Sequence, residues 1–95
     1  MSNVHRLGDK CSGHDACPPR PIISASENVF VNGLGWARVG DNYALHGCPE
    51  HPPHGAILAE GSRTVFVNGI PAGRIGDAVS CGGCANEGSP DVFCG

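Results

Sequence analysis

Apolar residues along this chain come in short clusters set apart by Gly, Asn, Asp and Pro, and no stretch carries the three-to-four-residue recurrence of an amphipathic helix. Little helix is therefore expected. The strongest cluster is Val29-Phe30-Val31, a β-branched and aromatic run that stops at Asn32-Gly33, and it recurs as Val65-Phe66-Val67 before Asn68-Gly69. Asn-Gly after such a run predicts a β-hairpin, because both residues accept the positive φ of a type I′ turn. A returning strand is expected through "ARVG" and "GRIG", closed in each copy by Gly-Asp, whose carboxylate is suited to bonding backbone amides at the exit turn.

The two copies are "SENVFVNGLGWARVGD" (26–41) and "SRTVFVNGIPAGRIGD" (62–77). The chain ends supply a third in halves: "SPDVFCG" (89–95) matches the first part and "HRLGD" (5–9) the second. A unit split across the termini predicts that the first strand, near Val4 to Leu7, lies beside the last, near Val92 and Phe93, so that a threefold ring closes without a free sheet edge. The predicted class is all-β, one pseudo-threefold hairpin domain over 1–95. The three segments after each Gly-Asp, of which 41–62 is the longest, should emerge at one end.

Composition adds a need for reinforcement. A chain of 95 residues buries a modest share of its surface, and it holds only three Phe, one Trp, one Tyr and one Met. Gly (15) and Pro (8) are abundant enough to suggest disorder in an aperiodic chain, but here they fall at recurring offsets and read as turns. The formal charge of −3, with six scattered Lys and Arg, does not suit a phosphate-tracking surface. Neither the N-terminus "MSNVHRLGDK" nor any other stretch has the apolar core of a signal peptide or the roughly 18 apolar residues of a membrane span, which points to synthesis in the cytoplasm.

Six Cys and five His in so small a chain point to a metal staple. His14 and His46 each stand five residues after a Gly-Asp aspartate, and Cys81 stands four after the third, so equivalent loops would aim three ligands at one axis. Zinc takes four, in a tetrahedron of His nitrogen and Cys sulfur. The middle segment "HGCPEHPPHGAI" offers Cys48, His51 and His54 for the fourth; His54 is preferred because it precedes Gly55, where the chain turns back. Such a closed site of three His and one Cys leaves no place for water and is structural. Against this, "HPPH" also reads as an exposed stiff loop, and Cys81 with Cys84 in "CGGC" reads as a zinc knuckle or a thiol redox pair. Cys11, Cys17, Cys84 and Cys94 are read as small packed residues, with a Cys11–Cys17 disulfide open to an oxidising medium. His5, before a repeated Arg, is expected on the outer surface.

Arg6, Arg38 and Arg74 recur with Asp9, Asp41 and Asp77. A catalytic pair is needed once, so a pair present in every unit reads as turn bonding or an ion pair. With no HExxH, GxSxG or GxxxxGK[ST] pattern either, the sequence names no catalytic residue. The enzyme reading left standing is a small zinc-dependent or CxxC redox enzyme.

With "VFVNGIPAGRIGD", "GDKCSGHDAC", "CPEHPPHG" and "VSCGG" in view, the chain resembles the PAAR-repeat proteins along essentially its whole length. The family pattern Pro-Ala-Ala-Arg stands here as Pro71-Ala72-Gly73-Arg74 and, less faithfully, as Gly35-Trp36-Ala37-Arg38, with Trp36 where a small residue is usual. The resemblance implies a β cone whose base caps a trimeric β-helical spike, either of the VgrG type in type VI secretion or the central spike of a contractile phage tail. It implies one zinc ion at the sharp vertex, with iron as a substitute, and a role in piercing membranes without catalysis. Many relatives carry additional toxin domains; here the repeat units take up the sequence from the first half-unit to the last, so a cap without attached cargo is the expectation, with effectors as separate partners, and a chain made in the cytoplasm then exported with the spike or carried in a virion.

Overall fold

The structure, a computed structural model, describes residues 1–13, 18–48 and 51–95, with side chains described outside 46–48 and 51–54. Its strands pair in antiparallel twos: β1 (Ser2–Asn3) with β8 (Phe93–Cys94), β2 (Phe30–Val31) with β3 (Leu34–Gly35), β4 (Asn42–Cys48) with β5 (His51–Ile57), and β6 (Phe66–Val67) with β7 (Ile70–Pro71). Among the described residues there is no helix. The body measures 37 × 23 × 21 Å.

Asn32 and Asn68 have φ of 54° and 55°, followed by Gly33 and Gly69 at 78° and 76°, so both Asn-Gly pairs make the I′ turn their sequence predicts. The return strands begin earlier than expected. Leu34–Gly35 and Ile70–Pro71 close the hairpins directly after the turns, while "ARVG" and "GRIG" leave their own hairpin to bridge a neighbouring unit. The split unit closes as predicted, with Ser2 opposite Cys94 and Asn3 opposite Phe93, two residues before the stretch expected to pair.

What joins the units is cyclic. Val4 bridges Arg74, Arg6 bridges Trp36 and Arg38 bridges Ala72, so each unit hands a short strand to the next. Between these bridges runs a closed ring of three backbone hydrogen bonds: His5 N–H to the Gly73 carbonyl (3.1 Å), Gly73 N–H to that of Ala37 (2.7 Å), and Ala37 N–H to that of His5 (3.0 Å). All three residues are buried, and the ring marks the pseudo-threefold axis.

The space at the axis is tight. A Cβ on Gly73 would stand 2.7 Å from Leu58 Cδ2 and 2.8 Å from the Ala37 carbonyl oxygen. The Gly73 carbonyl also accepts the Trp36 indole N–H at 3.0 Å, so the bulky residue of one unit leans on the smallest of the next. Gly73→Ala is therefore expected to lower stability by about 1–3 kcal/mol through overpacking, read as a drop in the midpoint of thermal unfolding; an unchanged midpoint would contradict the geometry.

Each unit opens with a buried serine, Ser26, Ser62 or Ser89, whose hydroxyl accepts the backbone N–H three residues on, at 3.0, 2.8 and 2.9 Å. Each closes with a turn from Arg to Asp whose Gly8, Gly40 or Gly76 has φ of 91°, 92° or 96°, a type II geometry that favours glycine. The incoming segment docks on that turn alike in all three: Ile22, Leu58 and Ala85 each exchange backbone hydrogen bonds with the Gly-Asp pair of Asp9, Asp41 and Asp77. Apolar packing falls into two clusters. Val4, Val31 and Cys94, with Trp36, Val65 and Val92 against them, fill the hairpin end, while Cys11, Ile22, Ala37, Tyr43, Ala56, Leu58, Val79 and Ala85 fill the end where the long segments gather.

Candidate metal centre

The three segments that follow the Gly-Asp turns are stitched together at one end. Ile22 bridges Tyr43 and Leu58 bridges Val79, and Cys11 bridges Ala85. The Cys84 carbonyl accepts from Ser12 N–H at 2.8 Å, and the Ser12 hydroxyl accepts from Cys84 N–H at 3.0 Å. Ser80, the residue before Cys81, holds the end of β5 twice: its N–H donates to the Ile57 carbonyl (2.9 Å) and its hydroxyl oxygen accepts from Ile57 N–H (3.0 Å). The turn carrying Cys81 is thus fastened to Ser12, two residues before His14, and to the strand that carries His54.

The middle segment, read from sequence as a loop, is a hairpin. In its register His46 stands opposite His54 and Cys48 opposite His51, with shifts between Tyr43 and His46 and again between His46 and Cys48. Pro52 and Pro53 are accommodated because, among the described residues, β4 is the one strand paired with β5. His14 lies outside the described residues, as does Cys17, and the side chains of His46, Cys48, His51 and His54 are not described. Among the described residues no group of three or more His, Cys, Asp or Glu side chains stands ready to hold an ion.

Cys81 is half-buried and packs against the upper cluster, the one around Tyr43 and Leu58 where the long segments gather. Burial, and then the neighbouring Cys11, pushes its thiol up from the usual range, so the sulfur carries its proton unless a cation displaces it. Cys11 and Cys94 are buried core residues, as expected, and Cys84 is half-buried.

His5 departs from its expectation. It is fully buried rather than on the surface, because it occupies the axial position that Ala37 and Gly73 hold in the other units; aligning the three units would have shown this. Its Nδ1 lies 2.7 Å from the Glu87 carbonyl and its Nε2 2.8 Å from the Tyr43 hydroxyl. A carbonyl only accepts, so Nδ1 carries the proton and Nε2 accepts from the phenol. Burial holds the imidazole below its ordinary range against the pull of Asp9, Asp77 and Glu87, and burial also raises the Tyr43 phenol, so both keep the forms this hydrogen bond requires. Tyr43 lies at the start of β4, one residue in from Asn42, on the strand that leads to His46, so the axis is wired to the hairpin.

The repeated Arg and Asp residues do what repetition implied. Arg6, Arg38 and Arg74 each engage the carboxylate three residues on through Nε and a terminal nitrogen, at 2.8–3.2 Å, and that carboxylate also accepts the arginine's own backbone N–H at 2.8 Å. All three reach further: Arg74 donates to the Gly61 carbonyl, while Arg6 donates to Asn32 Oδ1 and Arg38 to Asn68 Oδ1, each of these two locking a hairpin turn to the next unit.

The family profile described as the PAAR motif matches residues 12–87, most of the chain. No curated protein matches it. A match of that extent, over an all-β body built from three equivalent hairpin units around one axis, assigns the family: the chain belongs to the PAAR-motif proteins.

Proposed function

We propose that this chain is a structural spike tip, a single cone over 1–95 whose hairpin end caps a trimeric β-helical spike and whose opposite end is drawn to a metal-stabilised point for piercing membranes. Membership of the PAAR-motif family supports the tip role and association with a spike protein such as VgrG. The observation that carries the capping is the cyclic ring of bridges: one chain presents three equivalent units, which is what a threefold partner requires of a monomeric cap. Either a type VI VgrG-type trimer or a phage central spike satisfies it, and effectors would bind separately. In this reading the chain is made in the cytoplasm and leaves with the spike.

The proposed ligands are His14, His46, His54 and Cys81, taking one zinc ion, or iron in its place. The register that sets His46 across from His54 supports this set over one using His51, and the hydrogen bonds from the Cys81 turn to Ser12 and to β5 support convergence of the three segments. When bound, the ion would cross-link the three segments beyond the apolar cluster at their base, where that cluster holds a single large aromatic. A raised Cys81 thiol is the opposite of what a reactive redox cysteine needs, so the redox-enzyme reading gains no support there.

The test is binding stoichiometry. Mixed with a purified VgrG-type trimeric spike, the chain should form a complex of one copy per trimer, measured by light scattering after size exclusion. No complex, or three copies per trimer, would sink the capping role.

A further inference from the structure

All three phenylalanines of the chain are on its surface. Phe30, Phe66 and Phe93 are 59%, 55% and 47% exposed, while the residues after them, Val31, Val67 and Cys94, are 6%, 2% and 6% exposed. Each Phe therefore stands on the outer face of its hairpin, opposite Gly35, Pro71 and Asn3 respectively, and the operator that relates the units relates the three rings. Folding gains little from this placement: a core short of aromatic volume leaves every phenylalanine half in water, and does so three times in the same place.

The areas decide what kind of partner fits. A Phe side chain removes about 150–250 Å² from water when fully buried, so at half exposure each ring offers about 100 Å². One such patch is far below the roughly 800 Å² per partner of a standard interface, whereas three engaged together make up over a third of it. A partner with a single binding site gains little here; one with three equivalent apolar sites gains all three.

Resting on the capping reading above, we propose that Phe30, Phe66 and Phe93 are the anchors of docking, each seated in an equivalent apolar pocket of the three chains of the trimeric spike. Because the three sites are alike, the anchors share the affinity. Asn32 and Asn68 beside the first two rings have no counterpart at the third, where Gly95 stands, so among the described residues the Arg-to-Asn lock belongs to the first two hairpins.

The test is titration calorimetry against a purified VgrG-type trimeric spike, with Phe30→Ser, Phe66→Ser and Phe93→Ser singly and combined. Each single change is expected to weaken binding about tenfold and the triple change about a thousandfold, with circular dichroism and metal content unchanged. The triple Phe→Leu variant, which keeps the apolar contact and guards against a misfolded triple Ser, should bind within about tenfold of wild type. Wild-type binding that survives in the folded triple Ser variant overturns the anchor assignment alone, as does loss traced entirely to one ring. Failure of the wild type to bind overturns the capping reading and this one together. If the Ser changes abolish self-association of the chain and leave spike binding intact, the rings serve contacts between copies and the assignment falls.

Discussion

Cys81→Ser is expected to abolish stoichiometric zinc and to lower the thermal midpoint by tens of degrees, and a strong chelator should do the same to the unaltered chain. The size follows from what the metal would have to replace. The upper cluster holds one large aromatic, Tyr43, and otherwise Ile, Leu, Val, Ala and Cys, at the end where the longest segments meet. A structural zinc in small folds contributes about 10 kcal/mol or more of apparent binding energy, comparable to the whole stability of a domain this size. The register sharpens the expectation: His54→Ala should remove the metal, whereas His51→Ala, opposite Cys48, should leave it bound. Elemental analysis decides both, and zinc retained at one equivalent in Cys81→Ser would refute the ligand set.

His5→Ala should cost about 3–5 kcal/mol, enough to move the midpoint by about 15 °C or more in a domain of this length. The substitution opens a cavity at the axis, strands the buried Tyr43 hydroxyl and removes the partner of the Glu87 carbonyl. The effect has a definite pH dependence. Burial lowers the imidazole pKa from 6.5, so the unfolded chain takes up a proton before the folded one does. The contribution of neutral His5 is thus whole above pH 6.5 and is lost as pH falls from there toward the depressed folded value. Melting wild type and His5→Gln side by side should show a gap that is widest near pH 8 and narrows below 6.5; a gap that widened in acid would mean the buried imidazole is charged.

The ring and its turns were legible because their residues have few alternatives. Asn-Gly and the Gly of each Gly-Asp sit where φ is positive, and Arg with Asp recurs because every unit needs the same exit turn closed. The return strand was misplaced because "ARVG" has strand composition whichever neighbour it pairs with, and composition carries no partner. The β4–β5 hairpin was missed for a related reason: two prolines argue against a strand inside a sheet, but not against an edge with one partner. His5 was read by its neighbour Arg6, when the informative comparison was with Ala37 and Gly73. Of the proposed ligands, sequence offered three candidates for the fourth place, because spacing alone does not say which of Cys48, His51 and His54 faces His46; the register sets His46 opposite His54 and Cys48 opposite His51.

Closing the ring with Ser2 against Cys94 also sets a kinetic cost. Val4 finds its hydrogen-bond acceptor, the Val92 carbonyl, only by bringing together segments separated by nearly the whole sequence. Such long-range closure slows folding, and until β8 pairs with β1 the cone keeps one flank open.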